Sequence, residues 1–144
     1  MGDSVAIVTG ASQGIGRSAA IRLARDFSAV VLAARNPKAL EEVADAVQRA
    51  GAEPLPLALD LSQVKASKIV VNAALERFGR IDALLNIAGA VPQIDLFEMT
   101  DEQWNAGMEL KLHGARRFDD SIMGCSEGSQ GLSGFHVWKC GARS

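Results

Sequence analysis

Short apolar runs alternate with longer segments of helical periodicity through the first 86 residues, and this alternation limits the fold more than any other feature. Residues 4–9 (SVAIVT) are an apolar run that ends in a glycine-rich turn, after which apolar side chains recur at helical spacing. The full series predicts strands at 4–9, 29–34, 53–59 and 81–86 and helices at 15–26, 37–50 and 63–78. Strands separated by helices pair in parallel. We therefore predict an α/β fold with an open, doubly wound parallel sheet and a ligand site at the carboxyl ends of its strands.

The pattern weakens after residue 95. Residues 100–112 predict one more helix, with Thr100 as its N-cap, whereas beyond about Phe118 glycine and serine are scattered without a period. We therefore expect residues 1–118 to form the folded domain and residues 119–144 to form an irregular tail. On this interpretation the sheet is incomplete and has about four strands.

A chain of 144 residues allows one compact domain, and its composition is that of a globular protein, with 48% hydrophobic and 22% charged residues. The net charge of -2 and the absence of a dense run of lysine and arginine argue against a nucleic-acid partner. No apolar stretch approaches the ~20 residues that span a bilayer. The N-terminus lacks the pattern of a secretory signal. We expect a cytoplasmic protein with no membrane partner.

The segment TGASQGIGR, residues 9–17, joins the first predicted strand to the first predicted helix. Gly10, Gly14 and Gly16 stand at this bend, where missing side chains let a diphosphate approach the backbone and the amides of the helix start. The other interpretation is a tight turn whose glycines serve packing alone. The position between a strand and a helix favours phosphate binding.

The spacing TGxxxGxG resembles that of the short-chain dehydrogenase/reductase family, and further segments agree with it in order and interval. Asp60-Leu61 ends the third strand, where the family holds the adenine ring, and residues 86–89 (NIAG) are similar to the NNAG motif after the fourth strand. The resemblance covers about the first 118 residues and implies a Rossmann-like, dinucleotide-binding domain. The binding residues that it implies are Gly10, Ser12, Gln13, Gly14, Ile15, Gly16, Arg17, Arg35, Asp60, Leu61, Asn86, Ala88 and Gly89.

The charge at the end of the second strand indicates which dinucleotide is preferred. An acidic residue there would accept hydrogen bonds from a ribose 2′-hydroxyl and repel a 2′-phosphate, but this chain has Arg35. Arg17 opens the first helix, so two guanidinium groups are available to clamp a 2′-phosphate. We predict NADP(H) rather than NAD(H) as the cofactor. The alternative is that both arginines are solvated ends of a helix and a loop.

The catalytic residues that the resemblance implies are missing. The family's proton donor is a tyrosine followed four residues later by lysine, and this sequence contains no tyrosine. Lys111 stands where the family has an assisting asparagine. We interpret Lys111 and His113 as solvated helix residues rather than substitute acids, and we assign no catalytic residue.

By resemblance, then, the protein is an NADP(H)-dependent oxidoreductase acting on an alcohol or carbonyl substrate, and it is inactive as this chain. A small-molecule substrate is expected only of an intact form, and a homo-oligomer is consistent with the family. The alternative is a non-catalytic dinucleotide-binding or dimerisation module.

The tail differs in character from the rest of the chain. Cys125 and Cys140 do not form a known zinc spacing with His136, so we expect free thiols and no metal. A permitted back-translation of residues 123–140, read one base later, gives WDALKAPKGSVVFMSGN, which resembles the strand that the family places here. We therefore interpret the C-terminal part as truncated or frameshifted.

Overall fold

A computed structural model describes residues 4–88, 97–123, 129–132 and 135–141. The strands are β1 Val5–Thr9, β2 Ala29–Ala34, β3 Glu53–Ala58, β4 Arg80–Asn86, β5 Ser129–Leu132 and β6 Phe135–Gly141. The helices are α1 Gly14–Leu23, α2 Pro37–Ala50, α3 Ala66–Phe78, α4 Asp101–Met108 and α5 Gly114–Met123, with a π-helical turn at Glu109–His113 between the last two.

The strands form one sheet in the order β3-β2-β1-β4-β6-β5. The first four are parallel, with Val5 opposite Ala29 and Ile7 opposite Leu84, while helices connect them in sequence. This arrangement is the Rossmann-like, doubly wound sheet that the alternating pattern predicts, and the prediction of four parallel strands is confirmed.

Helices cover both faces of the sheet, which explains why β1 and β2 are continuous apolar runs. On one face Ile7 and Val31 pack in a core that includes residues of α3 and α5. On the other face Val8 and Leu32 pack in a core that includes residues of α1 and α2. Because successive side chains of a strand point to opposite faces, a strand that is covered on both faces is apolar at nearly every position, and Thr9 at the end of β1 is buried with its hydroxyl hydrogen-bonded.

Asp82 on β4 accepts hydrogen bonds at the amino-terminal end of the sheet. One of its carboxylate oxygens accepts a hydrogen bond from the Val5 amide at 2.8 Å and another from Arg80 Nε at 2.9 Å. Its second oxygen accepts from Arg80 Nη2 at 2.6 Å. A backbone donor and a charge at this end of the sheet are thus satisfied by the fold itself.

The helix after residue 100 starts as predicted, with a capping box. The Thr100 hydroxyl accepts a hydrogen bond from the Gln103 amide, and the Gln103 side chain accepts one from the Thr100 amide. Helical structure continues through the π turn to Met123, beyond the predicted end at residue 112. Among the described helices, none combines the length and the apolar character needed to cross a membrane.

The expectation of an irregular tail is wrong for residues 129–132 and 135–141, which form β5 and β6. These two strands are antiparallel to each other, and β6 pairs antiparallel with β4, placing Gly141 opposite Arg80 and Phe135 opposite Leu85. The physical reason is the edge of β4 that does not face β1. Its backbone N–H and C=O groups can form hydrogen bonds with another strand whatever the side chains of that strand are. Backbone pairing does not require an apolar period. The glycine- and serine-rich sequence of these two strands therefore gave no pattern from which they could be predicted.

Prolines occupy alternate positions of β3, the outermost strand next to β2. The amides of Glu53 and Leu59 donate to carbonyls on the β2 side, each at 2.9 Å, so odd-numbered amides along this segment point into the sheet. Pro54 and Pro56 therefore stand where amides would point outward, and proline has no N–H to offer there. The exposed edge of β3 lacks two of the donors that another strand would need.

We expect the double substitution P54T/P56T to promote association of the chain through this edge, because it restores two outward donors. Size-exclusion chromatography with light scattering at matched concentrations should show a larger share of high-mass species than in the wild type. Ala58→Thr is the control, since residue 58 lies on the same strand and already has its amide hydrogen. Identical profiles for the wild type and the double variant would contradict this role of the prolines.

Candidate functional site

A cleft of about 490 Å³ opens at the carboxyl ends of the parallel strands, beside the turn between β1 and α1. This is the end of an open α/β sheet where ligands bind. The residues that line it are Gly10, Ser12, Gln13, Gly14, Ile15, Gly16, Ala34, Arg35, Asn36, Ala39, Leu61, Ile87 and Ala88.

The cleft brings together most of the predicted binding residues. Nine of the thirteen line it: Gly10, Ser12, Gln13, Gly14, Ile15, Gly16, Arg35, Leu61 and Ala88. Arg17, Asp60 and Asn86 are described but are not among the lining residues. Gly89 lies outside the described residues.

Four lining residues were not predicted: Ala34, Asn36, Ala39 and Ile87. The sequence carried a signal for two of them. Ile87 stands between two predicted residues of the NIAG segment, and Asn36 follows Arg35 directly. Asn36 also caps α2, since its side chain accepts a hydrogen bond from the Ala39 amide at 3.2 Å. Ala34 and Ala39 have no chemical feature that would have singled them out.

Two of the glycines are required because backbone segments meet at the turn. An ideal Cβ on Gly16 would lie 2.0 Å from the Gly10 carbonyl oxygen, so the start of α1 presses on the end of β1. A Cβ on Gly10 would lie 2.8 Å from Ala88 Cα, on the segment that follows β4. These two positions serve packing as well as any ligand, which makes the two interpretations of the glycine turn compatible.

Gly14 has a different role. Its φ is +58°, in the left-handed region that favours glycine, yet an ideal Cβ there would have no described atom within 4 Å outside its own neighbourhood. Gly14 is itself one of the residues that line the cleft. It therefore allows the turn conformation and adds no side chain to this part of the cleft lining.

The side chain at the N-cap position of α1 does not cap this helix. Gln13 stands at the N-cap in extended conformation without a capping hydrogen bond from its side chain, and the first turn holds no acidic residue. By contrast, Asn36 caps α2 and Thr100 caps α4. The first amides of a helix have no partner within the helix and carry partial positive charge. This helix start therefore favours an anion.

Thr9 links the floor of the cleft to β1. It is 1% exposed, and its hydroxyl donates to the Leu85 carbonyl at 3.3 Å while accepting from the amides of Ile87 and Ala88 at 3.1 Å each. The hydroxyl thus holds the chain where it leaves β4 and enters the cleft wall. Thr9 begins the glycine segment, but this role of its hydroxyl was not predicted.

Asp60 is exposed and folds the turn after β3 onto itself. Its carboxylate accepts hydrogen bonds from the Ser62 hydroxyl at 2.6 Å and the Ser62 amide at 2.9 Å, and its carbonyl accepts from the Gln63 amide at 3.1 Å. The bonds from Ser62 hold the pKa of the Asp60 carboxyl below its ordinary value, and the positive charge of Arg35 adds a smaller effect in the same direction. The carboxylate is therefore ionised near neutral pH.

The two arginines assigned to the 2′-phosphate differ in position. Both are exposed, but Arg35 lines the cleft and Arg17 does not.

His113 is an exposed residue of the π turn, which also contains Lys111. Within the described residues there is no group of three or more His, Cys, Asp or Glu side chains that would hold a metal ion. Cys125 lies outside those residues, whereas His136 and Cys140 belong to β6.

A family model described as short chain dehydrogenase matches residues 4–131, which is most of the chain. This match includes the glycine turn, the Asp60 turn and the segment after β4. The chain belongs to the short-chain dehydrogenase family.

Individual members support the assignment. The chain is 36% identical over 115 residues to the short-chain reductase protein NovJ of Streptomyces niveus, covering 80% of this chain and 44% of that protein. Among solved structures, an alcohol dehydrogenase from the archaeon Thermococcus sibiricus, complexed with 5-hydroxy-NADP, matches with a TM-score of 0.78 and 34% identity over 85% of this chain and 53% of that one. L-sorbose reductase from Gluconobacter frateurii, complexed with NADPH and L-sorbose, matches with a TM-score of 0.77 and 31% identity over 84% of this chain and 46% of that one.

The chain spans about half the length of the curated relatives that it matches. The shared half is the one that contains the glycine turn and the parallel strands. Short-chain dehydrogenases bind NAD(P).

The two kinds of glycine should respond differently to alanine. Gly14→Ala adds a Cβ in open space and should cost about 1–2 kcal/mol of unfolding free energy from its left-handed conformation. Gly16→Ala should cost more, although alanine favours a helix, because the new Cβ meets the Gly10 carbonyl at 2.0 Å. Urea unfolding of both variants measures the difference. Equal or greater stability of Gly16→Ala than of Gly14→Ala would show that the strand and the helix do not meet here.

Proposed function

We propose that this chain is a dinucleotide-binding short-chain dehydrogenase domain that takes NADP(H), with the diphosphate at the start of α1. The observation that carries the proposal is the amino terminus of α1 at the cleft, where the Gln13 side chain makes no capping hydrogen bond and Gly14 adds no side chain to the lining. We assign the domain to residues 1–118.

The donor chemistry of this helix start fits a diphosphate. Amides at a helix start are hydrogen-bond donors, and the helix dipole adds partial positive charge at the same place. Because the first turn holds no acidic side chain, no carboxylate of this turn repels the anion. Gly14 leaves room for phosphate oxygens to reach the backbone. In this proposal Leu61 and the Asp60 turn form the wall on the adenine side, and Ile87 and Ala88 line the opposite side of the cleft.

The preference for NADP(H) depends on Arg35. Its guanidinium is the charged group at the end of β2, and a 2′-phosphate there would form charge-assisted hydrogen bonds with it. Arg17 is not among the lining residues, so we assign the main contact with the 2′-phosphate to Arg35. The NADPH complex of L-sorbose reductase and the 5-hydroxy-NADP complex of the Thermococcus sibiricus enzyme are consistent with a phosphorylated dinucleotide.

For catalysis we propose that these 144 residues bind the dinucleotide without transferring hydride. The nicotinamide ring supplies hydride chemistry when it is bound. The protein must add a proton donor for the alcohol or carbonyl oxygen, and the sequence contains no tyrosine for that role. An intact relative that includes the family's tyrosine and lysine would be an NADP(H)-dependent oxidoreductase of an alcohol or carbonyl compound.

Two measurements on the same preparation test these proposals separately. Fluorescence titration with NADPH should show saturable binding, and consumption of NADPH with a panel of carbonyl substrates should remain at the rate of a blank without protein. Turnover above the blank would contradict the non-catalytic assignment. A flat titration would contradict dinucleotide binding.

Arg35→Asp should weaken NADPH binding by about ten-fold or more while changing NADH binding little. The substitution removes the charged donor to the 2′-phosphate, and NADH has no 2′-phosphate. The matched control is Arg49→Asp, which makes the same charge change on the exposed side of α2, away from the lining residues. If Arg35→Asp and Arg49→Asp weakened NADPH equally, or if Arg35→Asp weakened both dinucleotides alike, the assignment of Arg35 would be wrong.

A further inference from the structure

Arg117 connects α5 to the turn that forms one wall of the cleft. Its Nη1 donates to the Ser62 carbonyl at 3.4 Å, and its Nη2 lies 2.5 Å from a carboxylate oxygen of Glu109 in the π turn. One guanidinium thus contacts two segments that are distant in sequence. Neither Arg117 nor Glu109 lines the cleft itself.

The ion pair with Glu109 fixes the direction of the Arg117 side chain. The Arg117 side chain is 18% exposed and that of Glu109 is 38% exposed, so solvent screens this pair less than an ordinary surface pair. The pair of Arg77 and Glu53 provides the contrast, because its side chains are 60% and 50% exposed. Because the carboxylate of Glu109 holds Nη2 of the guanidinium, Nη1 is held in position to donate to the Ser62 carbonyl.

The segment that Arg117 contacts behaves as a closed turn. Ser62 is tied to the Asp60 carboxylate through both its amide and its hydroxyl, and Gln63 is tied to the Asp60 carbonyl. The start of α5 also contacts this turn, since an ideal Cβ on Gly114 would lie 3.3 Å from the Leu61 carbonyl oxygen. Leu61, between these contacts, is 5% exposed and lines the cleft. A shift of α5 would therefore move the cleft wall.

We propose that Arg117 is a positioning residue for dinucleotide binding, held by Glu109 and acting through the Ser62 carbonyl on the turn that contains Asp60 and Leu61. The effect on binding rests on the function proposed above. The physical basis is a population effect: affinity falls in proportion to the fraction of molecules whose turn stands in the binding position. Without its anchor on α5, the turn occupies that position for less of the time.

Two substitutions distinguish positioning from simple charge. Arg117→Gln removes a positive charge and Glu109→Ala removes a negative one, so a long-range effect on the anionic dinucleotide would weaken binding in the first and strengthen it in the second. Positioning requires that both weaken binding. In NADPH titrations of the full chain we expect about five-fold weaker binding for Arg117→Gln and about three-fold for Glu109→Ala. Arg117→Lys should also weaken binding, since one ammonium does not contact both partners as two guanidinium nitrogens do.

Arg77→Gln is the matched control, because it removes one arginine from an ion pair away from the cleft lining. It should bind NADPH more tightly than Arg117→Gln and close to the wild type. Stronger or unchanged binding by Glu109→Ala would overturn the proposal, as would equal weakening by Arg77→Gln and Arg117→Gln.

Hydrogen exchange without any dinucleotide tests the same contact independently of the proposed function. The amides of Ser62 and Gln63, which donate within the turn, should exchange faster in Arg117→Gln and Glu109→Ala than in the wild type, and Arg77→Gln should leave them unchanged. Unchanged exchange in Arg117→Gln would overturn the positioning role. Failure of the wild type to bind NADPH would instead refute the proposed function, while the exchange rates would still decide whether Arg117 positions the turn.

Discussion

The approach of the Gly16 backbone to the Gly10 carbonyl is the contact on which the cleft depends. It places the start of α1 directly against the end of β1, and residues of this helix start line the cleft. Gly10 in turn lies against the segment after β4, and the Thr9 hydroxyl holds that same segment through its amides. Thr9, Gly10 and Gly16, which lie where β1 passes into α1, thus hold together the segments that form the floor and one end of the cleft. A side chain at either glycine would separate elements that must touch.

The strand β4 determines how the rest of the chain is accommodated. On one side it pairs in parallel with β1, and on the other it pairs antiparallel with β6. The register with β6 is irregular between Ile81 and Ala83, whereas the register with β1 is regular from Ala83 onward. The strands whose carboxyl ends border the cleft are therefore those of the parallel side. The tail completes the backbone pairing of β4 on the other side and adds no lining residue to the cleft among those described.

Much of this organisation could be predicted from the sequence, because strands buried on both faces are mainly apolar and amphipathic helices show apolar residues at a helical period. That reasoning located β1 to β4 and the glycine turn. It failed for β5 and β6, since pairing along a strand edge depends on backbone groups that every residue has. Sequence likewise gave no indication of the contact between Arg117 and Ser62, residues 55 positions apart. Such contacts depend on how α5 lies against the turn after β3, which no local pattern records.

The two ends of the parallel strands differ in how their polar groups are paired. Asp82 accepts hydrogen bonds from Arg80 and from the first amide of β1, so these two donors at the amino-terminal end are paired within the protein. At the carboxyl end, the start of α1 faces the cleft without a capping side chain from Gln13. An attachment made close to Ser4, such as a fluorophore or a tether to a sensor surface, would therefore lie at the end of β1 opposite to the cleft and would not obstruct the cleft.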